Sequence, residues 1–307
     1  MRLVFLGSGA FGVPTLRALF EHHEIAMVVT QPDRPAGRGG KLRPTPIAEL
    51  AGGYDTTVIK PERINRAEII EQVRGVEADA WVVIAYGQKL GSRLLDGVFA
   101  VNLHASLLPR WRGAAPIHHA VMAGDAETGN SVITLAEEMD AGDVLATTRR
   151  SIEPTQTTGE LHDLLADDGP AAVLDVLHAH RQGRVRRVVQ DTRRVTLAPK
   201  LSRNDAAIDF GRAGEQVRAH INGLSPWPGC TVDAGGTQLK LLRVGRVQGS
   251  GRPGELLDAD SGVVACGQGA VRMIDVQPAG KKPMSFSDFA RGQIVETGTV
   301  LRATTDR

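Results

Sequence analysis

The stretch RLVFLGSGAFGVPTLRALFE, residues 2–21, decides the fold class. It predicts a buried strand over 2–6, a glycine-rich turn over 7–12 and a helix over 13–21. A strand, a tight turn and a helix in this order begin the crossover unit that joins parallel strands. Because apolar strands and helices continue to alternate downstream, we predict an α/β protein with a doubly wound, mostly parallel, Rossmann-like sheet.

Apolar runs farther along the chain predict the remaining elements. We expect strands at 25–30, 57–59, 80–85 and 98–103, and a helix at 67–74. The pattern then changes, because 130–136 and 144–152 predict an antiparallel edge and 158–179 predicts a long helix. From about Leu201, short apolar runs separated by Gly and Asp predict a smaller second domain, either a β-barrel or a sandwich.

The bulk composition is that of an ordinary globular protein. The chain has 307 residues, of which 42% are apolar and 23% charged, and this length suits one large domain or two smaller ones. Its net charge of +1 indicates no class of partner. The first apolar run is too short for a signal peptide, and no run of about 18 apolar residues occurs, so we expect a cytoplasmic protein. Cys230 and Cys266 have neither metal-ligand nor disulfide-framework spacing.

Polar residues of chemical interest follow the predicted strand at 98–103. The sequence NLHASLLP, residues 102–109, leads from this strand into a loop, and Asp140 lies in a second loop. Because side chains alternate along a strand, Asn102 and His104 point to the same face. An amide can donate to an oxygen that gains charge, an imidazole can move a proton, and a carboxylate can orient the imidazole. These groups suit acyl transfer without a Ser or Cys nucleophile, although the same residue types also serve as ordinary loop hydrogen-bonding groups.

The turn GSGAFG, residues 7–12, fits the dinucleotide-binding fingerprint because it follows a strand and precedes a helix. An acidic residue should then end the second strand and bind the ribose, but Asp33 lies beyond that strand. The fingerprint is incomplete, and we favour a tight turn that needs glycine for packing. An NAD(P)-dependent oxidoreductase that uses this turn stays open as an alternative.

Three motifs resemble the folate-dependent formyltransferases, and among them most closely the methionyl-tRNA formyltransferases. The motifs are NLHASLLP at 102–109, RGAAP at 112–116 and MDAGD at 139–143, and the likeness extends from the first strand nearly to the C-terminus. The resemblance implies transfer of a formyl group from the co-substrate 10-formyltetrahydrofolate to the α-amino group of methionyl-initiator tRNA, for translation initiation. It implies neither a metal nor a covalent enzyme intermediate.

The resemblance also assigns roles to the polar residues. It implies that Asn102 stabilises the oxyanion, that His104 moves the proton between amine and leaving nitrogen, and that Asp140 orients His104 and favours its protonated form. The pteridine ring of the folate is expected against loops at the carboxyl ends of strands, where ligands bind in open α/β sheets. The expected contacts are Ile84, Tyr86, Gly87, Ser106, Leu107, Leu108 and Pro109.

The loop DRPAGRGGKLR, residues 33–43, carries four basic residues and one acid. By composition it is a surface loop, and a basic loop of this kind can also hold a nucleic-acid backbone. It resembles the loop that methionyl-tRNA formyltransferases place against the acceptor arm of the tRNA, with Gly40 where the family often has a second lysine. The expected tRNA contacts are Arg38, Lys41, Arg43 and, farther along the chain, Lys200.

The resemblance predicts the domain organisation as well. A formyltransferase catalytic domain is expected at 1–180, a basic linker at 181–202 and an OB-like β-barrel that contacts tRNA at 203–307. The barrel and the basic loop speak against a further alternative, a folate formyltransferase that acts on a small nucleotide substrate. Neither a protein partner nor a membrane contact is implied.

Overall fold

The computed structural model describes residues 1–36, 40–292 and 295–304. These residues form two compact units that interleave along the chain. The first unit takes its described residues from 1–112, 129–150 and 163–196, and the second takes them from 113–128, 151–162 and the chain after 196. The expected domain limits at 180 and 203 stay a prediction.

The first ten strands include the predicted sheet. They are β1 (Arg2–Gly7), β2 (Glu24–Val29), β3 (Arg34–Ala36), β4 (Lys41–Arg43), β5 (Thr57–Ile59), β6 (Ala80–Ile84), β7 (Ala100–His104), β8 (Arg112–Gly113), β9 (Glu127–Thr134) and β10 (Val144–Ser151). A seven-stranded sheet has the order β10-β9-β7-β6-β1-β2-β5. β1 is parallel to β2 and β6, and β7 is parallel to β6 but antiparallel to β9. The mostly parallel sheet with an antiparallel edge is thereby confirmed.

The helices are α1 (Val13–His22), α2 (Pro46–Ala51), α3 (Ala67–Arg74), α4 (Ser92–Leu95), α5 (Pro116–Met122), α6 (Thr158–Arg181), α7 (Gly214–Gly223) and α8 (Phe286–Gly292), with 3₁₀ turns at Ala10–Gly12, Thr192–Arg194 and Arg203–Ala206. The sequence predicted α1, α3 and α6 but missed the other five, which have ten residues or fewer. Four of these five, α2, α4, α5 and α8, have seven residues or fewer, and helices this short show too few turns for an apolar period to stand out.

The strand β1 is central because its side chains are apolar on both faces. Leu3, Val4, Phe5 and Leu6 are fully buried, and Trp81 on β6 is nearly so. Burial of one such side chain contributes about 1.5–3 kcal/mol to folding. The strand order reverses at β1, between β2 and β6, and sheets of this kind bind ligands outside the carboxyl ends of the strands near that point.

The glycine-rich turn after β1 is filled by the protein's own packing. A Cβ atom on Gly7 would lie 2.5 Å from the Phe5 ring and 2.8 Å from the carbonyl oxygen of Ile84. The hydroxyl of Ser8 donates to the carbonyl of Tyr86 over 3.1 Å and accepts from the backbone N–H of Gln31 over 3.1 Å. These contacts support the interpretation of this turn as a packing feature.

The described residues of the predicted loop at 33–43 include two short strands that the sequence did not predict. β3 and β4 pair as an antiparallel hairpin, with Arg34 opposite Arg43 and Ala36 opposite Lys41. α2 follows, and its first turn is capped by Thr45, whose hydroxyl accepts from the backbone N–H of Ala48 over 3.0 Å. The sequence did not predict this hairpin, because its short, exposed strands lack the apolar alternation of a half-buried sheet.

The strands of the second half are β11 (Leu197–Ala198), β12 (Cys230–Ala234), β13 (Thr237–Val247), β14 (Leu256–Asp258), β15 (Val263–Ala265), β16 (Ala270–Pro278), β17 (Met284–Ser285) and β18 (Arg302–Thr304). An antiparallel sheet in the order β14-β15-β16-β13-β12-β18 forms the second unit. Its two ends meet, because Leu256 N–H donates to Thr299 O and Leu301 N–H to Gly254 O, each over 2.8 Å. The sheet therefore curls into a half-barrel, as predicted for the smaller domain.

The helix α7 is fastened to this curled sheet by one buried amide. The side chain of Asn222 donates to the carbonyl of Val244 over 3.0 Å and accepts from the N–H of Val244 over 2.9 Å. Cys230 and Cys266 are buried in the apolar core of the same unit. A side-chain amide that satisfies both backbone groups of one strand residue lets a helix pack on a sheet without an unpaired buried polar atom.

Candidate active site

The predicted catalytic side chains meet at the carboxyl end of β7. Asn102 is half-buried and His104 is buried, on the same face of the strand. Asp140, in the loop between β9 and β10, places Oδ1 3.5 Å from Nδ2 of Asn102 and Oδ2 3.5 Å from Nδ1 of His104. The structure thus brings Asn102, His104 and Asp140 together within the first unit, while their catalytic roles stay predictions.

A backbone carbonyl fixes the hydrogen-bonding state of His104. Nε2 lies 2.9 Å from the carbonyl oxygen of Trp111, and a carbonyl oxygen only accepts, so Nε2 carries a hydrogen and donates. Trp111 is itself held with φ at +64°, and its N–H donates to Oγ1 of Thr196 over 2.9 Å. The nitrogen of His104 that can gain or lose a proton is therefore Nδ1, which faces Asp140.

The arrangement supplies a hydrogen-bond donor beside a proton-exchanging pair. The amide nitrogen of Asn102 carries two N–H groups, so it can contact Asp140 with one and donate to a substrate oxygen with the other. The side chains of His104 and Asp140 are only 7% and 13% exposed. Partial exclusion of water strengthens charge interactions at such a site.

The loop that carries Asp140 is held by a glutamine that the sequence analysis missed. Asp140 has a φ of +54°, in the left-handed region that Asp tolerates better than most residues. Nε2 of Gln190 donates to the carbonyl oxygens of Asp140 and Gly142 over 2.8 and 2.7 Å. The guanidinium of Arg112 donates in turn to Oε1 of Gln190 over 3.0 Å from Nε and 2.8 Å from Nη2. A single glutamine in a basic segment has no periodic signal that could have revealed this contact.

The loop after His104 is held by hydrogen bonds between serine hydroxyls and its backbone. Ser106 is fully buried, and its hydroxyl donates to the carbonyl of Arg110 over 2.6 Å. The hydroxyl of Ser131 donates to the carbonyl of Ser106 over 2.7 Å and accepts from the N–H of Leu108 over 3.1 Å. Among the expected folate contacts in this loop, the side chains that reach the surface are those of Leu107, Leu108 and Pro109, which are partly exposed.

The loop after β6 presents main chain rather than side chains. Ile84 and Tyr86 are buried, whereas Ala85 and Gly87 are exposed and have φ values of +48° and +87°. Burial raises the pKa of Tyr86 to about 12, so its hydroxyl is neutral at physiological pH, and among the described residues this buried hydroxyl has no hydrogen-bond partner. Among the expected folate contacts in this loop, Gly87 is therefore the one that is exposed.

The described basic residues of the hairpin lie on one face. The pairing of Arg34 with Arg43 and of Ala36 with Lys41 places the side chains of Arg34, Lys41 and Arg43 on the same side, opposite Leu42. Lys41 and Arg43 are exposed, as is Lys200 in the second unit. The expected contact Arg38 lies outside the described residues.

The described parts of the chain contain neither a candidate metal-binding group nor a candidate membrane-spanning helix. Within 1–36, 40–292 and 295–304, no group of three or more His, Cys, Asp or Glu side chains has a geometry that could hold a metal ion. In the same residues, no helix is long and apolar enough to cross a membrane.

The fold matches solved structures at low sequence identity. HypX from Aquifex aeolicus in complex with tetrahydrofolic acid gives a TM-score of 0.63 at 16% identity, and the match covers 94% of this chain and 46% of that one. The sugar 3N-formyl transferase WlaRD gives a TM-score of 0.67 at 11% identity, covering 92% of this chain and 99% of that one. At these identities the likeness establishes the fold alone.

Sequence comparison identifies the family. The formyl transferase profile matches residues 1–177, and the profile of the formyl transferase C-terminal domain matches residues 200–293. The methionyl-tRNA formyltransferase of Chelativorans sp. (strain BNC1) is 45% identical over 98% of this chain and 99% of its own length. That of Paracoccus denitrificans (strain Pd 1222) is 42% identical over 95% of this chain and 97% of its own length. The chain therefore belongs to the formyl transferase family, and within it to the methionyl-tRNA formyltransferases.

Proposed function

We propose that this enzyme transfers the formyl group of 10-formyltetrahydrofolate to the α-amino group of methionyl-initiator tRNA, with Asn102, His104 and Asp140 as its catalytic residues. The observation that carries the proposal is the meeting of these three side chains at the carboxyl end of β7, in a chain of this family. A carboxylate 3.5 Å from both an amide and an imidazole supports an acyl-transfer site without a nucleophilic side chain.

The chemistry follows from the hydrogen bonds of the cluster. The neutral amine attacks the formyl carbon, and the N–H of Asn102 stabilises the charge that develops on the formyl oxygen. The amine loses a proton, the bond from the formyl carbon to N10 breaks, and N10 gains a proton. Because Nε2 of His104 is bound to Trp111, the pair formed by Nδ1 of His104 and Asp140 moves these protons.

Substrate positioning completes the proposal for the folate. Ala85 and Gly87 are exposed in the loop that follows β6, and Leu107, Leu108 and Pro109 are partly exposed in the loop that follows β7. The buried residues Ile84, Tyr86 and Ser106 would support these loops from the protein interior. Two substrates bound side by side gain much of their rate from orientation alone.

The names of the two relatives given above state that their substrate is methionyl-tRNA. We assign its contacts to Arg38, Lys41 and Arg43 in the first unit and to Lys200 in the second. Exposed basic side chains neutralise phosphates, and a curled β-sheet of OB-like form is a common nucleic-acid binding module. Because charged initiator tRNA serves translation, we infer that the enzyme acts in the cytoplasm.

The direct test is formyl transfer by the purified protein. Labelled 10-formyltetrahydrofolate and charged initiator tRNA should yield label on the methionine amine, dependent on both substrates. Label on an amino sugar nucleotide in place of tRNA would contradict the tRNA assignment. Oxidation of NADH or NADPH without formyl transfer would contradict the reaction class and favour use of the glycine-rich turn.

A further inference from the structure

We propose that Gln190 is a positioning residue, which holds Asp140 in its place beside His104, and that Arg112 orients Gln190 for this task. The inference rests on the proposed role of Asp140. It concerns residues that touch neither the reacting atoms nor the expected substrates, because Gln190 and Arg112 are only 7% and 8% exposed.

The hydrogen bonds around Gln190 are directional. Nε2 uses its two N–H groups on the carbonyl oxygens of Asp140 and Gly142, while Oε1 accepts from two nitrogens of Arg112. A guanidinium only donates and a carbonyl only accepts, so the amide can satisfy its neighbours in one orientation only. Arg112 therefore determines which end of Gln190 faces the loop.

The Asp140 loop needs a support of this kind. The contacts of Asp140 with Asn102 and His104 are long, at 3.5 Å each, and its backbone has a φ of +54°. A sparsely populated backbone conformation persists when its surroundings over-determine it. Gln190 supplies two short bonds at the carbonyls that flank Ala141, so it can fix the carboxylate where the long contacts alone cannot.

The end of the loop is also held by Thr134 on β9. Its hydroxyl accepts from the N–H of Asp143 over 2.9 Å, and its own N–H donates to the carbonyl of Asp143 over 3.0 Å. A Cβ atom on Gly142 would lie 1.7 Å from the carbonyl oxygen of Thr134. Because Thr134 contacts Gly142 and Asp143 while Gln190 binds the carbonyl of Asp140 itself, removal of Gln190 should free Asp140 even though β9 still holds the end of the loop.

The central experiment replaces the donor while keeping the volume and the Arg112 contact. In Gln190→Glu, the carboxylate still accepts from Arg112 but presents an oxygen to the two loop carbonyls. We expect kcat for formyl transfer to fall about 10-fold to 100-fold, because an error of about 1 Å in the position of a catalytic group costs up to that factor. The KM values for folate and for tRNA should stay within about twofold of wild type.

A neutral variant separates lost hydrogen bonds from added charge. Gln190→Met has similar length and no donor, so it should lower kcat by a factor similar to that of Gln190→Glu. Asn222→Asp is the matched control, because it makes the same amide-to-acid change at a buried amide that donates to a backbone carbonyl, in the second unit. This control should keep wild-type kcat, even if its unfolding temperature falls.

A double-mutant cycle decides whether Gln190 acts through Asp140. If it does, Gln190→Glu should have little effect in the Asp140→Ala background, and the double variant should turn over within about twofold of Asp140→Ala. If the double variant instead lost kcat by the product of the two single-variant factors, Gln190 would not act through Asp140. Wild-type kcat in both Gln190 variants would also contradict the positioning role. If the Gln190 variants and Arg112→Lys all failed to fold, the residues would be structural and the proposal would be wrong. Wild-type turnover in Asp140→Ala would instead contradict the proposed function itself.

Discussion

At His104, the carbonyl of Trp111 decides which ring nitrogen can exchange a proton. The bond from Nε2 to this carbonyl, 2.9 Å long, leaves Nδ1 facing Asp140. Two roles are thereby separated within one imidazole, since one nitrogen fixes the ring and the other faces Asp140. Loss of the imidazole should therefore lower the rate of formyl transfer much more than it lowers the stability of the fold.

Replacing His104 by alanine should remove most formyl transfer while the protein stays folded. A positioned proton-transfer group contributes about 10²–10⁴ in rate, so kcat should fall by that factor. Single-turnover transfer to charged tRNA measures it, with circular dichroism as the check on folding. The control is His22→Ala, at an exposed histidine in the last turn of α1. More than about a third of wild-type turnover in His104→Ala would show that another group moves the proton.

Replacing Asn102 by alanine should cost about 10²–10³ in kcat, as is typical for loss of one oxyanion donor. The KM for folate should change little, because the donor acts on charge that develops during the reaction and not on the bound ground state. Steady-state kinetics with each substrate varied in turn separates the two effects. A raised KM with normal kcat would make Asn102 a binding residue.

Strand periodicity predicted the placement of Asn102 and His104, because residues two apart on a strand share a face. The position of Asp140 could be predicted only from the motif resemblance, because the local sequence of a loop does not indicate which part of the fold it contacts. The contact made by Gln190 could not be predicted for the same reason. Its partners Asp140 and Arg112 lie 50 and 78 residues away, and hydrogen bonds between distant segments leave no repeating pattern in the sequence.

At the scale of elements, the sequence predicted the buried central strands and missed the short exposed strands of the hairpin. β1 and β6 are continuous apolar runs with full burial, which is the pattern of strands covered on both faces. β3 and β4 have three residues each and exposed, basic side chains, so composition alone predicted a loop. The pairing of the hairpin places Lys41 and Arg43, two of the proposed tRNA contacts, on a common face.

The double variant Lys41→Ala/Arg43→Ala should weaken tRNA binding and reduce its salt dependence. Each lost phosphate contact lowers the slope of log affinity against log salt by about 0.7–0.9, so the slope should fall by about 1.4–1.8 if both residues contact phosphate. Equilibrium binding at a series of salt concentrations measures this slope, and folate binding should be unchanged. The control is Arg93→Ala, at an exposed base on α4 in the same unit.

Two outcomes would contradict the assignment of the hairpin. An unaltered slope with normal tRNA kinetics would mean that Lys41 and Arg43 do not contact the nucleic acid. Loss of folate and tRNA binding together would mean that the hairpin supports the fold. A fall in turnover with an unchanged slope would place the two side chains against a base or a sugar.

At the scale of the whole molecule, the chain builds two compact units that interleave in sequence. Residues 113–128 and 151–162 belong to the second unit, although first-unit residues lie on either side of each segment. Local composition and periodicity describe neighbours along the chain, so they predicted the fold of each part but not this interleaving. Both cysteines lie in the second unit, where they report on its integrity.

The protein should lose stability above pH 9 because of these two thiols. Burial raises the pKa of Cys230 to about 12 and that of Cys266 to about 11, from the ordinary value of 9.0. Below pH 9 both states keep the thiols protonated, so their contribution to stability is constant. Above pH 9 the unfolded chain releases protons that the folded chain retains, and the free energy of unfolding should fall by about 1.4 kcal/mol per thiol at pH 10.

Urea unfolding followed by circular dichroism at pH 8, 9 and 10 measures this loss, and the control is the double variant Cys230→Ala/Cys266→Ala. Its stability at pH 8 should be lower because two buried side chains are truncated, but its decline between pH 8 and 10 should be shallower by about 2.7 kcal/mol if both thiols act as argued. Native protein at pH 8 should also resist a thiol reagent that labels both cysteines after unfolding, since a buried thiol is neither ionised nor accessible. Equal alkaline slopes in the two proteins, or rapid labelling of the native protein, would show that the second unit opens more readily than its packing indicates.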